Sequence, residues 1–129
     1  MSTSTSQFAA VGIDVGAQKP AVVRALACIE SRYRGRLTAP EIAAASGYSK
    51  RGLQGAFERD LGMSPSVVVR LLRMHRARQM LLANPYRSVM TVAAEVGVPH
   101  FGRFSGYYRA QYGETPSETV RAARDQLPR

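Results

Sequence analysis

One pattern occurs twice in this chain, and it restricts the possible folds more than any other feature. Residues 47–62 read GYSKRGLQGAFERDLG, and residues 97–113 read GVPHFGRFSGYYRAQYG. Each copy begins and ends on glycine and has arginine and aromatic residues in between. Because two similar stretches of this length predict the same local structure twice, we expect a fold built from two related units.

Each copy has the pattern of a helix-turn-helix. Gly47 stands four residues after an alanine, and so does Gly97. A small alanine lets two helices cross closely, and glycine adopts the left-handed backbone of a tight turn without steric cost. The longer helix after the turn has a regular apolar face, made by Leu53 and Phe57 in the first copy and by the equivalent Phe104 and Tyr108 in the second. Its opposite face stays free, and in DNA-binding proteins that face enters the major groove.

The fold class predicted is all-α, because apolar residues recur at helical spacing and no long alternating run is present. Residues 1–19 are rich in Ser, Thr, Gly and Gln and are predicted to be a flexible arm or linker remnant. The double helix-turn-helix domain is then expected over residues 20–129. Within it we predict lobe one at 20–64, a long linker helix at 65–83 and lobe two at 86–124.

The net charge indicates a polyanionic partner. The chain has 18 Lys+Arg against 9 Asp+Glu, which gives a formal net charge of +9. Lys19 and Lys50 are the two lysines, so the excess is almost all arginine, whose planar fork of donors suits phosphates and guanine edges. Nucleic acid is the partner expected for such a charge, and an anionic membrane is the less common one.

The long helix carries much of this charge without balance. Residues 61–94 contain no acidic residue, although a solvated helix usually pairs its arginines with carboxylates one turn away. Arg70 and Arg73 stand one turn apart and are predicted to contact phosphates. For Arg76 and Arg78, a phosphate contact and plain exposure to solvent are equally expected.

Several other classes of protein are not expected from this sequence. Cys28 is the single cysteine, which excludes a disulfide framework, and its apolar surroundings predict an inert thiol. With His75 and His100 as the two histidines and no phosphate-binding glycine loop, we predict no enzyme activity, no cofactor and no metal. The chain has neither a signal-peptide pattern nor an apolar run long enough for a membrane span, which predicts a cytoplasmic protein without a membrane partner.

The second half of the chain, VAAEVGVPHFGRFSGYYRAQYGETPSETVR, resembles the DNA-binding domain of the AraC/XylS family of bacterial transcription regulators. Its HFGRFSGYYRAQYGETPSET portion is most similar to the XylS-like branch, and GYSKRGLQGAF resembles the first helix-turn-helix of the small MarA-type members. The resemblance covers residues 20–124. It implies two helix-turn-helix lobes of the three-helix, homeodomain-like type, joined by one long helix. Their two recognition helices would enter successive major grooves, about 34 Å apart.

The resemblance also implies which residues contact DNA. The base-reading positions fall on Arg51, Gln54, Gly55, Gly102, Arg103 and Gly106. Positions for the DNA backbone fall on Ser49, Lys50, Arg70, Arg73, Ser105, Arg109 and Arg121, and the turn glycines are Gly47 and Gly97. Glutamine pairs with adenine and arginine with guanine, so Gln54 and Arg51 are candidates in the first copy and Arg103 is the best candidate in the second. The sequence departs from the family where glycine, at 55 and 106, replaces the usual late arginine.

The function predicted is that of a sequence-specific regulator that binds double-stranded DNA as a monomer, acts as an activator and resides in the bacterial nucleoid. The alternative is a protein-interaction module that docks on RNA polymerase or another regulator and binds DNA weakly. Residues 1–19 are too short for an effector domain, so we expect either a stand-alone regulator or the DNA-reading part of a longer one. The non-identical copies predict an asymmetric target site.

Overall fold

The computed structural model of the chain describes residues 3–127, and this part is helical throughout. The helices are α1 (Thr3–Ala10), α2 (Pro20–Arg32), α3 (Ala39–Ser46), α4 (Lys50–Leu61), α5 (Pro65–Ala83), α6 (Val89–Glu95), α7 (Phe101–Tyr112) and α8 (Pro116–Asp125). A short 3-10 turn, Val15–Ala17, lies between α1 and α2. No strand occurs within residues 3–127. The all-α prediction is confirmed.

The chain divides into two compact units, Met1–Leu72 and Arg73–Arg129. Helix α5 has the bounds predicted for the long helix, but the boundary between the units lies inside it. Its first part therefore belongs to the first unit and its second part to the second unit. The buried residues of α5 are Pro65, Val68, Val69, Leu72, Met74, Ala77 and Leu81, whereas Leu82 is exposed.

In the first unit, α2 packs its apolar face inward and also fixes the end of α3. Val22, Leu26 and Ile29 are buried at helical spacing. Helix α3 begins at Thr38, whose side chain accepts a hydrogen bond from the backbone N–H of Glu41. Near its other end, a guanidinium N–H of α2 donates to the backbone carbonyl of Ser46 over 3.0 Å. This bond, from Arg24, satisfies one of the carbonyls that a helix leaves without an intrahelical partner.

The N-terminal segment differs from the predicted flexible arm. Within residues 3–19 it forms α1 and the 3-10 turn, and Phe8 and Ile13 are buried, with 1% and 2% of their surface exposed. The backbone N–H of Ile13 donates to the carbonyl of Phe8 over 2.9 Å, which closes the turn after α1. Two apolar residues five positions apart are too few to predict an amphipathic helix, although their burial adds an apolar contribution to the first unit. Residues 1 and 2 of the predicted arm lie outside the described part.

The second unit has the same order of a short helix, a turn and a longer helix, followed by α8. Val92 and Ala93 are buried on the inner face of α6, and Val96, which follows the helix, is also buried. Helix α8 begins with a capping box, in which the Thr115 side chain accepts from the backbone N–H of Glu118 and the Glu118 carboxylate accepts from the backbone N–H of Thr115. This arrangement satisfies two backbone donors and fixes where α8 begins.

Candidate nucleic-acid interface

The two turns have the same backbone geometry. Gly47 has φ +84° and Gly97 has φ +88°, so both lie in the left-handed region that the sequence predicts for them. The residue after each glycine donates its backbone N–H to the carbonyl of the alanine, with distances of 3.0 Å for Tyr48 to Ala43 and 2.9 Å for the equivalent pair in the second unit. A side chain at either glycine would be strained, so these glycines fix where the next helix begins.

The helix after each turn starts with a side-chain cap. In α4, the Ser49 hydroxyl accepts from the backbone N–H of Gly52 over 3.0 Å. In α7, the Nδ1 atom of His100 accepts from the backbone N–H of Arg103 over 3.1 Å. An imidazole nitrogen accepts only when it carries no proton, so this bond places the ring proton on Nε2. Sequence reasoning missed this cap, although His100 occupies the position of Ser49 in the repeat.

The outer face of α4 presents the predicted base-reading residues of the first unit. Arg51 and Gln54 are exposed, whereas Leu53 and Phe57 on the opposite face are fully buried. The Gln54 amide donates one hydrogen bond to the Glu58 carboxylate over 2.7 Å. An amide has two N–H donors and one carbonyl acceptor, so a donor and the acceptor remain for another partner.

The outer face of α7 has the same arrangement with different side chains. Arg103 is exposed and Phe101 is 41% exposed, while Phe104 and Tyr108 are fully buried on the inner face. The structure therefore places both Arg103 and Ser105 on α7. Ser105 occupies the position that Gln54 has on α4, but it is half-buried. Of the predicted base-reading residues in this unit, Arg103 is the one with a long polar side chain on the free face.

The helix glycines fall into two groups. A methyl group at Gly52 would lie 3.1 Å from Ser49 Oγ, and one at Gly102 would lie 3.2 Å from His100 Cε1, so both glycines make room for the capping side chain. A methyl group at Gly55 or Gly106 would meet nothing within 4 Å. Packing within the protein therefore does not require glycine at these two positions. Because they have no side chain, they leave a shallow depression on the free face of each helix.

The residues predicted to contact the DNA backbone differ in exposure. Lys50, Arg109 and Arg121 are exposed, and so is Ser49, whose oxygen serves as the cap of α4 and whose hydroxyl proton remains for another acceptor. Arg70 and Arg73 are half-buried, and each is engaged in an interaction within the protein. Burial lowers the pKa of Arg73 from its ordinary value. Arg70 and Arg73 are thus less free than the sequence suggests.

Among residues 3–127, no group of His, Cys, Asp and Glu is placed to hold a metal ion. Within the same residues, no helix has the length and apolar character that crossing a membrane requires. Cys28 is buried and forms no disulfide.

Comparisons with known proteins identify the class of this interface. A family model described as "Helix-turn-helix domain" matches residues 42–122. The crystal structure of a probable AraC family transcriptional regulator from Rhodopseudomonas palustris CGA009 matches with a TM-score of 0.74 at 32% sequence identity, over 81% of this chain and 98% of that one. The chain belongs to the AraC/XylS family. An AraC-type protein from Chromobacterium violaceum also matches, with a TM-score of 0.75 at 30% identity, over 84% of this chain and 96% of that one.

Two curated proteins that are named as operon regulators are similar to this chain in sequence. The probable thc operon regulatory protein of Rhodococcus erythropolis is 37% identical over 105 residues, which are 79% of this chain and 32% of that protein. The XylDLEGF operon transcriptional activator of Pseudomonas putida is 30% identical over 111 residues, which are 84% of this chain and 34% of that protein. The chain spans about a third of the length of these two relatives.

Proposed function

We propose that this chain is a sequence-specific regulator of transcription that binds double-stranded DNA and acts as an activator. The observation that supports this most strongly is the repeated geometry, a left-handed glycine turn followed by a capped helix with a free polar face, in a member of the AraC/XylS family. The name of one relative, a transcriptional activator of Pseudomonas putida, supports the direction of regulation. We place the protein in the bacterial cytoplasm, bound to the nucleoid.

In the first unit, Arg51 and Gln54 read base edges in the major groove. Arg51 donates two hydrogen bonds to O6 and N7 of a guanine, and Gln54 recognises adenine through its remaining amide proton and its carbonyl oxygen. Because Glu58 accepts only one of the two amide protons, it orients the Gln54 amide for this contact and leaves it available. Gly55, one turn after Arg51, lets the DNA approach the helix backbone.

In the second unit, Arg103 is the base-reading residue. It lies in the first turn of α7, whose start is fixed by the His100 cap, and its exposed guanidinium suits a guanine. Gly102 and Gly106 are its neighbours on the same helix and add no side-chain contact of their own. The second unit therefore reads fewer base pairs through side chains than the first.

Contacts to phosphates supply the remaining affinity. We assign this role to the residues that the resemblance implies, which are Ser49, Lys50, Arg70, Arg73, Ser105, Arg109 and Arg121. The net charge of +9 supports it. Neutralising six to ten phosphates makes DNA affinity fall about 10³-fold or more between 50 and 200 mM salt, whereas an apolar protein contact has no such dependence.

The protein binds as a monomer, with its two recognition helices in successive major grooves. Since the free face of α4 carries Arg51 and Gln54 and that of α7 carries Arg103, the target site is asymmetric. An additional contact with RNA polymerase is compatible with activation, because the recognition helices occupy only part of the surface.

Selection of binding sites from a random duplex library tests this proposal. The full chain is compared with Gln54→Ala and Arg103→Ala at two salt concentrations. We expect an asymmetric motif of about two helical turns, and each variant should relax a different half of it. Salt-sensitive binding without sequence preference would instead favour the protein-interaction module, and an inverted repeat with equal halves would contradict the asymmetric reading.

A further inference from the structure

Arg78 of α5 lies at the centre of a polar cluster in the second unit, which we call the Arg78 cluster. Its members are Arg78, Tyr108, Tyr112, Glu114 and Thr119. One guanidinium nitrogen of Arg78 lies 3.2 Å from Tyr108 Oη, 3.4 Å from Thr119 Oγ1 and 3.6 Å from Glu114 Oε2. The guanidinium carbon lies 4.8 Å from the centre of the Tyr112 ring. The cluster thus joins α5, α7, α8 and the turn between α7 and α8.

The hydrogen bonds of the cluster run in one direction. Thr119 donates its hydroxyl proton to the Glu114 carboxylate. A hydroxyl has one proton, so Thr119 must accept in its 2.8 Å bond with Tyr108, and Tyr108 must be the donor there. Tyr108 in turn accepts from Arg78, which also forms an ion pair with the carboxylate. The donors therefore run from Arg78 through Tyr108 and Thr119 to Glu114, and the ion pair between Arg78 and Glu114 joins the two ends of this chain of bonds.

The aromatic part of the cluster adds a second contact to the same helix. Tyr108 and Tyr112 are one turn apart on α7, with ring centres 5.0 Å apart. Burial, and then the neighbouring Tyr108, raise the pKa of Tyr112 above its ordinary value, so this ring stays neutral and presents a π face to the cation. Arg78 therefore holds two successive turns on the inner side of α7.

This contact fixes the rotation of α7 about its own axis. Arg103 lies about 140° around the helix from Tyr108, on the free face. A rotation of α7 would lengthen the directional bonds at Tyr108 and would displace Arg103 at the same time. Contacts that recognise a base edge tolerate errors of only about 0.5 Å or 10–20°, so a small rotation is enough to lose them.

We infer that Arg78 is a positioning residue that sets the orientation of Arg103 toward DNA, and that it is not a phosphate contact. The inference rests on the proposed function. It is drawn because the guanidinium of Arg78 is directed to partners inside the second unit, with 32% of the side chain exposed.

DNA binding by the full chain tests this role. Wild type, Arg78→Met and Arg78→Lys are measured on the site obtained from the random library and on copies with either half scrambled, at several salt concentrations. We expect Arg78→Met to reduce discrimination in the half read by Arg103 by about tenfold or more, while the other half is read as before. The slope of log affinity against log salt should stay at the wild-type value. Arg78→Lys keeps the positive charge and one donor nitrogen, and it should recover part of the discrimination.

Arg121→Gln is the matched control, because Arg121 is an exposed arginine of α8 with a proposed phosphate contact. It should weaken binding to all sequences alike and reduce the salt slope by about 0.9. If Arg78→Met behaves in this way, Arg78 is a phosphate contact and the inference is wrong. It is equally wrong if Arg78→Met leaves both halves and the slope unchanged.

Three further outcomes are decided in the same experiment. If Arg78→Met does not fold, Thr119→Val takes its place, because it interrupts the cluster between Tyr108 and Glu114 with little change in shape, and it is judged by the same two readouts. If wild type binds DNA without any sequence preference, the proposed function fails and the positioning role fails with it. If wild type prefers a site and the cluster variants do not alter that preference, the positioning role alone is refuted.

Discussion

The two units hold equivalent helices by different chemistry. Aligning Leu53 with Phe104 places Phe57 opposite Tyr108 and Val68 opposite Thr119, and all of these residues are buried. Between them, Leu61 and Met63 correspond to Tyr112 and Glu114. The first unit is thus apolar at the positions where the second unit has hydroxyl groups, an aromatic face and a carboxylate gathered around Arg78.

This difference shows that one helix-turn-helix geometry can be maintained by two kinds of force. Apolar packing is strong but not directional, so a helix held by it can adjust by small amounts. Hydrogen bonds lose strength steeply when their angles change, so a helix held by them has one preferred rotation. The first unit has two long side chains at the proposed base-reading positions and the second has one, and the second is the unit with the directional support.

The largest effects are expected when the inner anchor of each unit is altered. Phe57→Ala leaves a cavity in an apolar core and should reduce the free energy of unfolding by about 3–5 kcal/mol. Tyr108→Phe removes only a hydroxyl but leaves Arg78 and Thr119 with an unmatched group, and should cost about 1–3 kcal/mol. Urea unfolding followed by circular dichroism measures both.

A triple replacement, Arg78→Met with Tyr108→Phe and Thr119→Val, gives the second unit the apolar character of the first. Replacing a buried polar group together with its partners is often neutral for stability, so this variant should be more stable than Tyr108→Phe alone. If the triple variant is instead the least stable of the set, the cluster contributes net stability to the fold, and does more than provide its own polar groups with hydrogen-bond partners.

A smaller effect, similar in both units, is expected from the exposed helix glycines. Gly55→Ala and Gly106→Ala should each raise the free energy of unfolding by about 1 kcal/mol, because alanine is the better helix former and the added methyl meets no neighbour. Gly52→Ala and Gly102→Ala are the matched controls, and they should gain less because the methyl crowds the cap. Thermal unfolding of the four variants gives the comparison, and equal gains at all four positions would rule out the crowding.

The same glycine variants sharpen the proposed DNA contact. If DNA approaches the backbone at these positions, Gly55→Ala and Gly106→Ala should bind the selected site more weakly although the protein is more stable. Tighter binding by the stabilised variants would show that the glycines cost affinity.

The smallest effect is expected at the start of α8, where the capping carboxylate has no counterpart in the first unit. Hydrogen bonds from the backbone and side chain of Thr115 lower the pKa of Glu118 below its ordinary value of 4.5. A carboxyl group whose pKa is lowered on folding contributes stability that is present above its unfolded pKa and is lost as the pH falls through the folded value. At the equivalent start of α5, Ser64 accepts from the N–H of Val67, a residue without a carboxylate.

Glu118→Gln should therefore lose a small part of its stability relative to wild type at neutral pH, and the difference should shrink as the pH falls below the ordinary value for glutamate. Urea midpoints of the two proteins at a series of pH values measure this. A difference that stays constant down to the acid end would mean that the charge of Glu118 does not contribute to the cap.

Features with a local cause could be predicted from the sequence. The bounds of α5, the buried pair on the inner face of each recognition helix and the left-handed glycine turns depend on residues a few positions apart. Such features can be predicted directly from the sequence, because they follow from helical periodicity and from the backbone conformations that each residue type allows. The prediction that the chain belongs to the AraC/XylS family is confirmed for the same reason, because the repeated turns and helices are shared with its relatives.

Features that depend on distant residues could not be predicted. Arg78 was expected either in solvent or at a phosphate, yet it bonds to Tyr108 and Thr119, which are 30 and 41 positions away. The His100 cap was missed because histidine is seldom considered among the residues that begin helices. The assignment of individual residues to bases and phosphates stays a prediction, since it depends on the geometry of the DNA as well as on the protein.

The packing of the N-terminal segment has a practical consequence. Sequence reasoning would start a shortened domain at Pro20, at the first turn of α2. Such a fragment would lack Phe8 and Ile13, which are almost fully buried in the complete chain, and would expose the apolar surface that they cover. We would therefore expect poor solubility from a fragment cut at Pro20, and anyone trimming this protein for crystallisation or labelling should keep the residues from Gln7 onward.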